Sequence, residues 1–391
     1  MAEPPVSHAA DRPRVGLVVN PIAGLGGRVG LKGTDGAATV AAALARGAVP
    51  EAGTRATAAV RRLLAAWPAS RPLPLLLASG GAMGEEPARA AGAEVRVVGP
   101  PPDPGPTTAA DTRWAAAALA AERIDLLLVA GGDGTARDVA AVIGEAAVVL
   151  GIPAGVKILS GVFATSPAAA GLLAAAWLAG SDRRTAEGEV VDLDEDAYRQ
   201  GIVVPRLFAH LRLPSGRGMQ GRKSPSPPGE AAAAASIAAD VVERIEPGRA
   251  WVLGPGSTVR AVAERLGVPK TLVGVDVVEV GEEGARVVVA DATEADLLAI
   301  VKAMPTTIVL TPIGGQGFLL GRGNQPISPA VLRAAGPGAL LVVAAAGKLA
   351  ALGGRPLLVD TGDARLDGEL AGHVRVVTGY HEAAVVRIAA A

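Results

Sequence analysis

Two short apolar runs, each feeding straight into a glycine-rich turn, constrain this chain more than any other feature. Arg14-Val-Gly-Leu-Val-Val-Asn20 enters Asn20-Pro21-Ile22-Ala23-Gly24-Leu25-Gly26-Gly27. Ile124-Asp-Leu-Leu-Leu-Val-Ala130 enters Gly131-Gly132-Asp133-Gly134-Thr135. Runs of this length, apolar on both faces, are what strands buried inside a parallel sheet look like. Further runs at 73–79, 94–98 and 148–152 alternate with helical stretches at 37–46, 54–67, 83–92, 108–123 and 167–180. Another helix is expected to start in the Gly131–Thr135 turn and reach Ile143. Strand–helix alternation predicts a parallel α/β sheet. Ligands in such sheets bind at the carboxyl ends of the strands, where both glycine-rich turns fall.

Composition shifts near Ser181–Glu189, which predicts an α/β domain over 1–185 and a strand-rich domain over 186–391, with an α/β insertion around 230–305. Strands are expected at 250–253, 272–280, 286–290, 307–310, 340–343, 357–360 and 374–378, with helices at 230–245 and 258–266. The Pro214–Gly229 segment carries Arg217, Arg222 and Lys223 among Gly, Ser and Pro. It reads as a mobile loop, either a lid over phosphates or a solvated turn. No repeat of fixed period is present.

Composition narrows the function classes. The chain has 391 residues and a formal net charge of −1, so no broad field draws it to nucleic acid or anionic lipid. Trp, Tyr and Phe number 4, 2 and 3, too few for base-stacking platforms. There is no cysteine, which excludes disulfides, thiolate metal sites and a Cys nucleophile. His8, His210, His373 and His381 have no metallopeptidase spacing. No apolar run approaches the ~18–20 residues of a membrane span, and the first thirteen residues lack the order of a signal peptide. The expectation is a soluble, cytoplasmic protein without nucleic acid or membrane partners.

The Gly131–Thr135 turn is the strongest local signal for chemistry. Glycines let backbone approach a ligand, and a strand-to-helix turn aims N–H groups at an anion. A carboxylate there needs a task of its own, such as taking a proton from a hydroxyl or holding Mg²⁺. The alternative is a tight turn with Asp133 as helix N-cap. The Asn20–Gly27 turn reads either as a phosphate cradle or as an ordinary loop. It is neither a P-loop nor a dinucleotide fingerprint. A third segment, Thr311-Pro-Ile-Gly-Gly-Gln-Gly-Phe-Leu-Leu-Gly-Arg-Gly-Asn-Gln-Pro-Ile-Ser-Pro329, places Gln316 and Asn324 where they could read polar ligand edges. Phe318 is open to two readings, core residue or ring-stacking partner. Gly254-Pro-Gly-Ser-Thr258 is either an anion nest or a plain helix start with Ser257 as cap.

Taken together, these motifs resemble the ATP-NAD kinase family, in the superfamily that also holds diacylglycerol and sphingosine kinases. The GGDGT stretch at 131–135 is that superfamily's best-known motif, and N-P-x-A-G at 20–24 matches its first-strand motif. Segment 311–329 is similar to the T-P-T-G-S-T-A-Y…G-G-P-I stretch of NAD kinases in its Thr-Pro start, its Phe at the Tyr position and its closing Pro-Ile. It departs at Gly315, Gln316 and Gly317. The pattern looks most like the branch that includes acetoin-catabolism protein X. The likeness spans about 14–390 and is most specific at 20–27, 131–138, 152–167 and 311–329.

The resemblance implies a NAD kinase/diacylglycerol kinase-like fold and an ATP-dependent phosphotransferase. Asp133 would be the base. Asn20, Gly24, Gly131, Gly132, Gly134 and Thr135 would surround the phosphates of ATP with its Mg²⁺. Thr311, Gly315, Gln316 and Phe318 would face the acceptor, with NAD giving NADP. The family's Asn-Glu pair, which grips the dinucleotide, is absent; Glu189-Val-Val-Asp192-Leu-Asp194-Glu195 is the nearest counterpart, which assigns Asp192 and Asp194 to the acceptor. The resemblance also implies a homo-oligomer. A kinase for another small hydroxyl compound, a lipid kinase and a non-catalytic nucleotide-binding regulator are the competing readings.

Overall fold

The computed structural model describes residues 12–31, 36–99, 107–181, 183–193, 205–216, 218–220, 229–271 and 273–391. The first part is a five-stranded sheet of β1 (Arg14–Val19), β2 (Leu75–Ala78), β3 (Val95–Val97), β4 (Leu126–Gly131) and β5 (Val148–Pro153). Its order is β3-β2-β1-β4-β5 and every pairing is parallel. The connecting helices are α1 (Ala37–Ala45), α2 (Ala52–Ala66), α3 (Glu85–Ala90), α4 (Ala109–Ala121), α5 (Asp133–Ile143) and α6 (Pro167–Ala179). The expected helix at 83–92 is a short 3₁₀ turn, Gly81–Met83, followed by α3. The break falls at Gly84, whose φ of 156° no helix accepts.

Side chains alternate along the strands, so both faces of the sheet are apolar and both are covered. Val15, Leu17 and Val19 pack with Val60 and Leu63 of α2 and Leu173 and Trp177 of α6. On the other face Val18, Leu77 and Leu127 meet Leu119 of α4 and Val139 of α5. A hairpin of β6 (Thr185–Leu193) and β7 (Pro205–Pro214) closes this second face, burying Val190, Leu211 and Leu213 in the same core. The composition shift near residue 185 therefore coincides with the start of a hairpin that packs on the first sheet.

The remainder comprises α7 (Glu230–Glu243), β8 (Ala250–Leu253), α8 (Ser257–Arg265), β9 (Asp276–Gly281), β10 (Gly284–Val289), α9 (Glu294–Ala303), β11 (Thr306–Leu310), β12 (Phe318–Leu320), α10 (Pro329–Ala335), β13 (Leu340–Val343), α11 (Ala346–Ala350), β14 (Leu357–Val359), α12 (Ala364–Leu370), β15 (Gly372–Gly379) and β16 (Glu382–Ala390). Among the described residues its strands form one nine-stranded sheet, β10-β9-β8-β11-β13-β15-β16-β14-β12. The 230–305 segment supplies β8, β9 and β10 to one side of this sheet.

The strand expected at 272–280 begins only at Asp276. The Asp276 carboxylate gathers the N–H groups of Thr271 (2.8 Å) and Asp291 (2.7 Å) and the Lys270 ammonium (2.7 Å), bending the chain around itself before β9 starts. Among the described residues no helix is long and apolar enough to cross a membrane.

Candidate active site

The site forms where β1, β4 and β5 end. Their loops converge because the backbones touch. Gly131 at the end of β4 accepts from the N–H groups of Ala154 (2.8 Å) and Gly155 (3.0 Å), which follow β5. A Cβ on Gly155 would stand 2.8 Å from the Gly132 Cα, so neither loop tolerates a side chain at the contact. Gly24 has φ of 77°, and a Cβ there would lie 2.1 Å from the Ala154 carbonyl oxygen. The close approach required by both glycine-rich turns is thus an approach of loops to each other.

Asn20 locks the first two loops. Its N–H donates to the Ala130 carbonyl at 2.9 Å, its Oδ1 accepts from Ile22 N–H at 3.2 Å, and its Nδ2 donates to Thr135 Oγ1 at 3.0 Å. Thr135 is buried beneath the turn, and its hydroxyl partners Asn20.

Asp133 is the first residue of α5. Gly132 occupies the cap position, with no side-chain cap, so the N-cap reading of Asp133 does not describe its role. Instead its carboxylate reaches across to the loop after β5. Oδ2 accepts from Leu159 N–H at 2.8 Å and Oδ1 from Ser160 N–H at 2.9 Å. Asp133 stands at the amino-terminal end of α5, the positive end of its dipole. Ser160 is itself fixed, because its Oγ donates to Val191 O (3.1 Å) and accepts from Val191 N–H (3.0 Å) of β6. Asp133 is half-buried.

The segment after β11 grips this same loop. Gln316 Nε2 donates to the Ile158 carbonyl at 3.0 Å, Gln325 Nε2 to that of Val156 at 2.7 Å, and Gly323 N–H also to Val156 O, at 2.9 Å. Gln220 Nε2 joins Gln316 on the Ile158 carbonyl, at 3.1 Å. A buried ion cluster ties the two sheets together beside it. Arg55 of α2 and Arg322 both donate to Asp360, and Arg322 also donates to the Thr165 carbonyl at 3.0 Å. A cleft of about 470 Å³, open space included, runs between the sheets and is lined by Gly24, Arg28, Arg55, Gly155 and Arg322 among others.

Of the expected acceptor-facing residues, Gln316 therefore lies against the Asp133 loop. Gly315 instead accepts from Arg355 at 3.0 Å. Thr311 is buried and accepts from Lys348 Nζ at 3.4 Å, beside the Lys348–Glu230 pair. Phe318 is enclosed in β12 with the Arg322 guanidinium 4.5 Å over its ring, a position inside the core. Asp192 lies on β6 opposite Arg206, its side chain outside the described residues, as is all of Asp194. Ser257 does not cap α8; Gly256 holds that position, and the Ser257 hydroxyl donates to Glu230 at 3.2 Å.

Most of the Pro214–Gly229 loop lies outside the described residues, but Met219 and Gln220 are anchored against Ala164 and Ile158. Gln220, Arg55 and Asp360 were not legible as site residues. Only the excess of amides and glycines around 315–325 hinted at such contacts.

The chain matches the ATP-NAD kinase N-terminal domain over residues 15–181 and the ATP-NAD kinase C-terminal domain over residues 248–388, together well over half its length. It belongs to the ATP-NAD kinase family. No curated protein and no solved structure gives a significant match. Membership of the ATP-NAD kinase family makes the protein an ATP-dependent kinase. In this member the matched N-terminal stretch contains the Asn20 and Asp133 loops, and the matched C-terminal stretch contains Gln316 and Arg322, so the loops that meet at the cleft come from both.

Proposed function

We propose that the protein transfers the γ-phosphoryl group of ATP to the ribose 2′-OH of NAD, giving NADP and ADP, with Asp133 as base. The observation that carries this reading is the Asp133 carboxylate, held at the head of α5 by two amides where three glycine-containing loops meet. A carboxylate fixed in this way accepts the hydroxyl proton as the acceptor oxygen bonds to the γ-phosphorus. The bond from that phosphorus to the bridging oxygen then breaks and ADP leaves. Most of the catalysis in such a transfer is positioning and charge stabilisation. Gly24, Gly132 and Gly134 bring backbone to the donor phosphates, and Asn20 and Thr135 keep the turns in register.

Mg²⁺ accompanies the donor in this reading. Among the described residues no group of three or more His, Asp or Glu side chains could hold a metal. The ion would be held chiefly by the phosphates of ATP, and no protein ligand is named for it. For the acceptor, β6 runs past the site: Gly161 N–H donates to the Glu189 carbonyl at 2.9 Å, beside Ser160. This favours β6 around Glu189 as the side of the site nearest the acceptor; Asp194 and Glu195, further along the expected acceptor stretch, lie outside the described residues. The division into a nucleotide unit over 1–185 and an acceptor unit over 186–391 belongs to the same proposal.

The test is NADP formation from NAD, ATP and Mg²⁺, read through an NADP-specific dehydrogenase. Wild type should turn over, and Asp133→Ala should keep ATP binding while losing about 10²–10⁴-fold in rate. Full activity in that variant removes Asp133 as base. ATP binding without NADP, together with ADP release on another hydroxyl compound, moves the acceptor away from NAD.

A further inference from the structure

The Ile158 carbonyl is held from two sides. Gln316 and Gln220 come from segments 158 and 62 residues away, and each donates Nε2 to this one oxygen, at 3.0 and 3.1 Å. A backbone carbonyl can only accept, so the orientation of both amides is set by it. Both glutamines are more than nine-tenths buried, and among the described residues their Oε1 atoms have no hydrogen-bond partner. Among the described residues the bond to Ile158 is thus the polar contact that fixes each side chain.

The next two residues explain what is being held. Leu159 N–H and Ser160 N–H, immediately after the pinned carbonyl, are the donors to the two oxygens of Asp133. A peptide unit is planar, so fixing the Ile158 carbonyl also fixes the Leu159 N–H in the same plane. The line from Gln316 to Asp133 therefore passes through a single rigid peptide group. Val156, two residues earlier, is held by the same C-terminal segment through Gly323 and Gln325. The segment after β11 holds alternate carbonyls of the loop that orients the carboxylate.

We propose that Gln316 and Gln220 are positioning residues that act on Asp133 through the Ile158–Leu159 peptide, which makes the orientation of the base depend on docking of the C-terminal sheet. The inference rests on Asp133 acting as base, and its test separates the two. Gln316→Leu keeps most of the volume and removes the donor. Gln220→Leu does the same from the other side and stands in should Gln316→Leu fail to fold.

Each variant should lower kcat by about ten-fold. KM for ATP and for the acceptor should stay within about two-fold, because no binding contact is removed. In an Asp133→Asn background the same substitutions should change the residual rate by less than about two-fold, since their effect is routed through the missing carboxylate. Independently of activity, amide exchange at Leu159 and Ser160 should quicken by about ten-fold in either variant, with β4 and β5 unchanged.

Unchanged exchange at these two amides overturns the inference. So does a raised KM with kcat intact, which would assign Gln316 to substrate binding. If Asp133→Asn keeps full activity, it is the base reading that falls, and the exchange measurement alone then decides whether the clamp exists.

Discussion

Arg322 donates to Asp360 at 2.7 Å with both side chains almost fully enclosed. Arg55, from α2 beneath the first sheet, reaches the same carboxylate oxygen. One buried anion therefore joins a helix of the N-terminal part to two segments of the C-terminal part. Removing it leaves two guanidiniums facing each other out of water. Asp360→Leu should cost about 3–5 kcal/mol, read as a lower urea midpoint. An unchanged midpoint would show that the ion cluster adds nothing net to the hydrogen bonds and apolar contacts that hold the two parts together.

The same cluster sets an acid limit on stability. Burial by itself raises the Asp360 carboxyl, but Arg55 and Arg322 outweigh it and hold the group below its ordinary value. A carboxyl lowered in the folded state stabilises the fold above its unfolded value, and that contribution is lost as pH falls through the folded value. Urea midpoints should hold level down to about pH 4 and then decline. The decline should be shallower in Asp360→Asn, which has no proton to take up at this site. Parallel curves for the two proteins would rule Asp360 out as the group responsible.

Gly24 is a backbone requirement as well as a spatial one. Its φ of 77° and the 2.1 Å approach of a Cβ to the Ala154 oxygen both oppose any side chain. Gly24→Ala should destabilise by about 1–3 kcal/mol and weaken ATP binding, since the turn must move off the loop after β5. Thermal melting with nucleotide titration measures both, and wild-type values in each would show that the turn relaxes freely.

Asn20 spends its side chain on Thr135 and on the Ile22 N–H. Asn20→Ala leaves the buried Thr135 hydroxyl without that donor and should cost about 1–3 kcal/mol. Asn20→Asp keeps the acceptor for Ile22 but loses the donor, and should fall between wild type and Asn20→Ala in denaturant unfolding. Equal stability of all three would remove Asn20 as the lock between the turns.

Asp363 offers a readout in solution. Arg333 at 2.8 Å and the N–H of Leu366, whose helix it caps, draw its carboxyl down to about 2. A carbon-13 titration should find one Asp carboxyl midpoint near that value. Because the shift is downward, the cap is fully effective above the ordinary carboxylate range and is lost only as pH falls towards 2. Arg333→Ala should move the midpoint up, and no movement would assign the shift to capping alone.

β1, β2, β4 and β5 of the first sheet were legible because they are short apolar runs, a pattern that leaves little choice of structure. β3, by contrast, carries Arg96 at its centre and sits at the sheet edge. The β6–β7 hairpin was not legible. Thr-Ala-Glu-Gly-Glu-Val-Val-Asp-Leu mixes charge and apolar residues, and its pairing with a segment beginning at Pro205 is settled by contact with the core, where Val190 and Leu211 are buried. β12 and β16 escaped notice for related reasons. Phe318–Leu320 is three residues long, and Glu382–Ala390 is mostly exposed, held by its partners β15 and β14.

Sequence alone determined that glycine-rich turns follow β1 and β4 and that a carboxylate stands in the second. Those features depend on neighbours in the chain, where propensity and spacing act directly. Only the tertiary structure decided that Asp133 is oriented by Leu159 and Ser160 rather than capping its own helix. It alone decided that Thr135 supports Asn20, and that Gln220 and Gln316 meet on the Ile158 carbonyl. These contacts join residues far apart in the chain, and a hydrogen bond between them leaves no periodicity for a sequence to display.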